Sequence, residues 1–245
     1  MAIRTVTAEF VRVIRVRSPR RQEAGKKVAL MIIRFPGVYR PQHDSQILVE
    51  SLAVERVHPG TRVLDLCAGS GVVSVWATQS GVRHVTAVDI SRRALVSTWL
   101  NTAVRGHRVR VVRGDLVSRV RHRRFDLIVA NPPYVPAEHD ELPARGRARC
   151  WDAGHEGRAL LDRICADAPD LLENGGRLVV VQSTLSGVEK TRAMLGERGL
   201  RVEIARRMRV PFGPVLQQRR SLLVARGVIS PQQSTEELVV FRAVK

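Results

Sequence analysis

The sequence predicts an α/β fold: a Rossmann-like, seven-stranded, mostly parallel sheet with helices on both faces. Three observations predict it. From Val38 onward, short apolar runs alternate with amphipathic segments of helical period. Glycines, acids or prolines close four of these runs in turn, at Asp65-Leu66-Cys67-Ala68-Gly69-Ser70-Gly71, Asp89, Gly114-Asp115 and Asn131-Pro132-Pro133-Tyr134. The composition, 44% hydrophobic but only 4% aromatic, provides a core made of Val, Leu, Ile and Ala.

The elements follow in order. Asp44 to Arg56 reads as a helix, with Ile47, Leu48, Leu52 and Ala53 on one face and Asp44 or Ser45 as cap. Arg62 to Cys67 is a short buried strand and Gly71 to Gln79 a helix. His84 to Ile90 is a second strand, and Ser91 caps a helix to Val104. Arg108 to Arg113 and Phe125 to Ala130 are the third and fourth strands. A polar loop from Pro136 to His155 precedes a helix over Glu156 to Leu172, closed by the turn Asn174-Gly175-Gly176. Arg177 to Gln182, Leu200 to Arg209 and Ser221 to Arg226 complete seven strands, with a helix over Gly187 to Glu197. The domain reading is a basic N-terminal extension over 1–33, a catalytic domain over 34–228 and a C-terminal tail over 229–245. Within the extension, Val11 to Arg17 alternates as an exposed edge strand does, Ser18 to Lys27 is a basic run, and Met31 is an alternative start.

The formal charge of +18 is the one extreme number. It fits an anionic partner such as RNA, DNA or a ribosome, and equally a general richness in arginine with no specific partner. The apolar stretch Val28 to Ile33 is far shorter than the roughly 20 residues that span a bilayer, so no membrane partner is expected. Cys67, Cys150 and Cys165 form no C-x-x-C pair, which suggests neither a metal site nor a disulfide framework. A reduced, cytoplasmic protein is the default.

The chemistry lies where the strands end, because open α/β sheets bind ligands beyond their carboxyl edges. Gly69 and Gly71 let backbone approach a ligand closely at the start of a helix. Asp89, after the second strand, can accept from ribose hydroxyls, and Asp115, after the third, from an adenine amino group. Asn131-Pro132-Pro133-Tyr134 is the most specific signal. A nitrogen that attacks an electrophilic methyl group must point its lone pair at the carbon, so acceptors must hold its protons aside. The Asn131 oxygen and the Pro132 carbonyl are two such acceptors, the prolines stiffen the loop, and Tyr134 offers a face to a planar amide or base. His107, His122, His139 and His155 lie near these motifs, but an acceptor-held nitrogen needs no base. Trp76 and Trp99 read as packing.

On these motifs the chain resembles class I S-adenosylmethionine-dependent methyltransferases. Within them it is similar to the HemK/PrmC family of protein-glutamine N5-methyltransferases, which act on peptide-chain release factors. Gly157-Arg158 and Asn174-Gly175-Gly176 add to the likeness, which covers residues 36 to 227. The segment Gly37-Val38-Tyr39-Arg40-Pro41-Gln42-His43-Asp44-Ser45 is similar to the V-Y-x-P-x-x-D-[ST] stretch of a shorter branch, from eukaryotes and archaea, without the N-terminal helical substrate-binding domain.

The resemblance implies S-adenosyl-L-methionine as cofactor, held by Asp65, Ala68, Gly69, Gly71, Asp89, Ile90, Asp115 and Leu116, with Tyr39, Pro41 and Asp44 over it. It implies Asn131, Pro132, Pro133 and Tyr134 as the catalytic loop, a release factor as protein substrate and, from the eukaryotic branch, a small activating protein. Arg40 stands where that branch often has an acid, and the strong positive charge is not a family trait. Two rival readings use the same residues: a nucleic-acid methyltransferase acting on adenine N6 or another exocyclic amine with the base flipped onto Tyr134, and a basic cofactor-binding scaffold without activity. A small-molecule substrate also fits the fold.

Overall fold

The computed structural model describes residues 11–17 and 27–245. The sheet is built from β3 (Arg62–Leu66), β4 (His84–Asp89), β5 (Arg110–Arg113), β6 (Phe125–Ala130), β7 (Leu172–Ser183), β8 (Arg201–Pro211) and β9 (Thr235–Val244), in the order β5-β4-β3-β6-β7-β9-β8. The first five pair in parallel, while β9 runs antiparallel to both β7 and β8. Chain order reverses between β3 and β6, so the loops that follow these two strands lie side by side. That is where an open α/β sheet makes its ligand crevice.

Covered strands explain the unbroken apolar runs: Val63, Leu64 and Leu66 of β3, Leu127 to Ala130 of β6 and Leu178 to Val181 of β7 are all buried. One packed row of helices consists of α1 (His43–Leu52), α2 (Val72–Gln79) and α3 (Arg92–Ala103). A second consists of α4 (Ala159–Asp167) and α5 (Val188–Glu197). Short helices α6 (Pro214–Gln218) and α7 (Arg220–Ala225) lead into β9.

Three expectations are corrected. Ser221 to Arg226 is not a strand but most of α7, since a short run such as Leu222-Leu223-Val224-Ala225 carries no periodicity that separates helix from strand. The seventh strand is β9, inside the stretch read as a tail over 229–245. Leu238 to Phe241 are buried between β7 and β8, so the folded domain extends through it. Asn174-Gly175-Gly176, expected to close a helix, instead interrupts β7, where the register jumps from Phe125↔Leu172 to Leu127↔Arg177.

A separate antiparallel hairpin joins β1 (Val11–Arg17) to β2 (Lys27–Ile33). Leu30 and Ile32 enter the core while Met31 between them stays exposed. Asn101 of α3 fastens the end of β2, accepting from the Ile33 amide at 2.8 Å and donating to the Ile33 carbonyl at 2.6 Å. A domain boundary at 33/34 therefore fails, because β2 belongs to the packed body. Of the basic run Ser18 to Lys27, residues 18–26 lie outside the described residues.

Candidate active site

One cavity of about 780 Å³ opens at the carboxyl ends of β3 to β6, and every expected site residue except Gly71 lines it. The turn after β3 is held from behind. Thr98 of α3 donates to the Gly69 carbonyl at 3.2 Å, and Asn101 donates to the Ser70 carbonyl at 2.9 Å. Gly71 has φ +81°, and a Cβ there would sit 2.8 Å from the Thr98 Cα. Its glycine serves the approach of α3 to the turn.

The acids differ in what remains open to them. Asp65 is buried, with Oδ2 accepting from the Ser74 amide at 3.0 Å and hydroxyl at 2.6 Å, and burial pushes it up to about 7. It positions the start of α2. Asp89 accepts from the Gly69 amide at 2.9 Å and the Ser91 amide at 2.8 Å, one on each oxygen. A carboxylate has about four lone-pair sites, so both oxygens retain capacity toward the cavity. Asp115 meets Arg163 of α4 at 2.7 Å, and an adenine amino group there would share the carboxylate with that guanidinium. Leu116 follows at φ 46°, a left-handed turn beneath the cavity floor that costs about 1–2 kcal/mol in a residue with a Cβ.

A buried network joins the Asn131–Tyr134 loop to the segment before α1. Asp44 Oδ2 accepts from the Tyr39 hydroxyl at 2.7 Å and the Tyr134 hydroxyl at 3.2 Å. Burial and the Asp44 charge hold both phenols well above their ordinary range, so they stay donors. Ser45 Oγ donates to Asp44 Oδ1 at 3.1 Å and accepts from Asn131 Nδ2 at 3.3 Å. With its nitrogen end so engaged, the Asn131 side chain keeps its oxygen as the acceptor end. The Tyr134 carbonyl takes the Ser186 hydroxyl at 2.6 Å. Behind it the buried guanidinium of Arg158 reaches the carbonyls of Ser186 and Gly187 and the Thr191 hydroxyl.

Ser45 was read only as a helix cap and motif position, and Thr98, Asn101 and Ser186 were not foreseen; each acts across long sequence separations, which no spacing rule marks. Among the described residues no histidine lines the cavity, and no group of three or more His, Cys, Asp or Glu is placed to hold a metal. Trp76 is buried in the core, whereas Trp99 is half exposed on α3. No described helix is long and apolar enough to cross a membrane.

Glu236, at the start of β9, is a further residue that sequence did not mark. It is buried, and its Oε2 meets no hydrogen-bond partner among the described residues. Burial first, and then the Asp44 charge, push its carboxyl up to about 7, against a hydrogen bond from Ser183 that lowers it. Unfolded, the group loses its proton near 4.5; folded, it keeps it to about 7. This contribution to stability is therefore full below pH 4.5 and is lost as pH rises to about 7. Glu236→Gln should be about 1–3 kcal/mol more stable than the parent at pH 8, and level with it near pH 4. Urea unfolding at both pH values checks this, and equal stability at pH 8 would mean the carboxylate is solvated.

The description "Methyltransferase small domain" matches residues 30–145. A relative from Methanocaldococcus jannaschii, provisionally named a protein N5-glutamine methyltransferase, is 32% identical over 177 residues, 72% of this chain and 88% of its own length. The chain belongs to the HemK/PrmC methyltransferase family. Another HemK/PrmC relative, the release factor glutamine methyltransferase of Bordetella pertussis, is 37% identical over 180 residues, which is 70% of this chain. Only 66% of that longer protein is spanned. The fold is shared with the Mtq2 structure from E. cuniculi, solved as an Mtq2-Trm112 complex responsible for eRF1 methylation. There the TM-score is 0.57 at 23% identity, over 85% of this chain and 99% of that one. The HemK/PrmC chain carries the loops that follow β3 to β6 on a seven-stranded, mostly parallel sheet, the fold of class I methyltransferases.

Proposed function

We propose that this methyltransferase moves the methyl group of S-adenosyl-L-methionine to the side-chain amide nitrogen of a glutamine in a protein, a peptide-chain release factor being the foremost candidate. The observation that carries the reading is the Ser45–Asn131 hydrogen bond, which leaves an acceptor at the mouth of the turn after β6. The residues fit the cofactor: Asp89 has lone pairs for a ribose, Gly69 presents backbone beside it, and the cavity lies in the range of small-molecule sites. When bound, the cofactor supplies an electrophilic methyl group.

The chain's own residues supply the rest. Asn131 Oδ1 and the Pro132 carbonyl take the two amide protons, so the nitrogen lone pair faces the methyl carbon. Both prolines lack an N–H that would compete for those acceptors. Positioning and fixed dipoles then carry the rate, and the surplus proton leaves to water after transfer. The partner set follows from the same reading: a protein substrate met in the cytoplasm and a small activating protein, as Trm112 accompanies Mtq2.

A second reading, transfer to an exocyclic amine of a nucleic acid, draws on Arg145, Arg147 and Arg149 at the cavity rim. Radiolabelled methyl donor added to a lysate, with and without nuclease, decides between them. Label on a protein that survives nuclease, with one added methyl mapped to a glutamine, is the expected result. Label confined to nuclease-sensitive material would transfer the assignment to the second reading.

A further inference from the structure

Most arginines near the β8 edge are neutralised. Arg206 meets Glu50, Arg207 meets Glu237, and Arg242 meets both Glu55 and Glu203. The opposite edge, at β5, is different. Residues 92 to 124 contain ten arginines and one acid, Asp115, which is already taken by Arg163. Among the described residues Arg92, Arg108, Arg110, Arg113, Arg119 and Arg124 form no ion pair, and all six are exposed. Among the described residues Arg201 and Arg209 of β8 are unpaired too, but the two edges differ in degree: six exposed arginines gather on the β5 side, where Arg121 alone of the arginines in residues 92 to 124 meets an acid, Asp167.

These side chains cluster around the β5 edge, with Arg110 and Arg113 on opposite faces of the strand. Arg110 sits opposite Thr86 in the β4–β5 register, and Arg123 reaches the Thr86 hydroxyl at 3.3 Å. Arg113 lies opposite Asp89 and donates to the Ile90 carbonyl at the cavity rim. The Arg119 stem passes over Gly114, the residue just beyond β5. Helix α3 packs against β4 and β5, and its outward stripe of Arg92, Val96 and Trp99 borders the same edge. Trp99 is 54% exposed, an aromatic plane on the helix that packs against β4 and β5.

We propose that the β5 edge and the outer face of α3 are a docking track for RNA, which carries a ribonucleoprotein-bound substrate to the cavity. Guanidinium groups bind phosphates bidentately and stack on bases, and an exposed tryptophan offers the stacking platform that single-stranded segments use. The choice of RNA over other polyanions rests on the reading of a substrate in the translation machinery. RNA binding is measured without methyl transfer, so failure of one reading is separable from failure of the other.

The test is fluorescence anisotropy of the full chain with a labelled single-stranded RNA across a salt series, with duplex DNA as competitor. Arg108→Glu/Arg110→Glu/Arg124→Glu should weaken binding about tenfold or more and flatten the log–log salt dependence by about 2. Arg201→Glu/Arg209→Glu, on the β8 edge, should change affinity less than about twofold, and the milder Arg108→Gln/Arg110→Gln guards against misfolding. Methylation of an isolated glutamine peptide should be unchanged in all three. Equal loss in both edge variants, or DNA competing as well as RNA, would overturn the proposal. So would unaltered RNA binding with lost methylation of intact protein substrate, which would mark the track as a protein-docking face.

Discussion

Asn131→Ala should lower the turnover of methyl transfer by about 10²–10³-fold, the loss typical when one fixed polar group is removed from a developing charge. Cofactor affinity should stay within about twofold, because Asp89 and the Gly69 turn are held by α3 and β4 and not by Asn131. The variant remains foldable: Ser45 keeps its bond to Asp44, and the prolines keep the loop. Single-turnover assays with labelled donor, paired with calorimetry of cofactor binding, separate the two quantities. Parallel loss of both would move Asn131 out of the acceptor role and into cofactor binding.

Gly157→Ala should damage stability and catalysis together. Gly157 has φ +69°, and a Cβ there would lie 2.4 Å from the Tyr134 carbonyl oxygen and 3.0 Å from the Pro136 nitrogen. Neither neighbour is the free end of a flexible side chain, so the loop that carries Asn131 to Tyr134 must itself yield. Left-handed strain and overpacking together cost about 2–5 kcal/mol, which lowers Tm by at least about 5 °C for a domain of this size. A shift of the loop by about 1 Å can cost about 100-fold in rate. Gly154→Ala is a graded comparison, since its Cβ would meet mainly the Asp140 side chain at 3.1 Å. Full activity and an unshifted Tm in Gly157→Ala would show that the loop is free to move.

Sequence made β3 to β6 legible because each is a short apolar run with a turn residue at its end, and no boundary differs from expectation by more than two residues. The four terminal motifs were legible for the same reason, and they do meet in one cavity. The antiparallel third of the sheet was not. Ser221 to Arg226 offers four apolar residues without a period, and Thr235-Glu236-Glu237 begins β9 with acids that read as surface. Gly71 was legible as special, but its reason was invisible, because Thr98 is far along the chain. The same holds for Arg158: its buried guanidinium is satisfied by Ser186, Gly187 and Thr191 of a later segment, and only packing brings these together.

The position of β9 also orders the folding of the chain. β8 precedes it in sequence yet touches β7 only through it, so β8 has no sheet neighbour until residues 235 to 244 exist. A nascent chain stalled before residue 235 holds β7 as an open, strongly apolar edge and β8 as an orphan strand. Such an intermediate invites pairing with other chains. Native closure is consequently a late and non-local event, set by strand insertion and not by the early βαβ units that carry the binding loops.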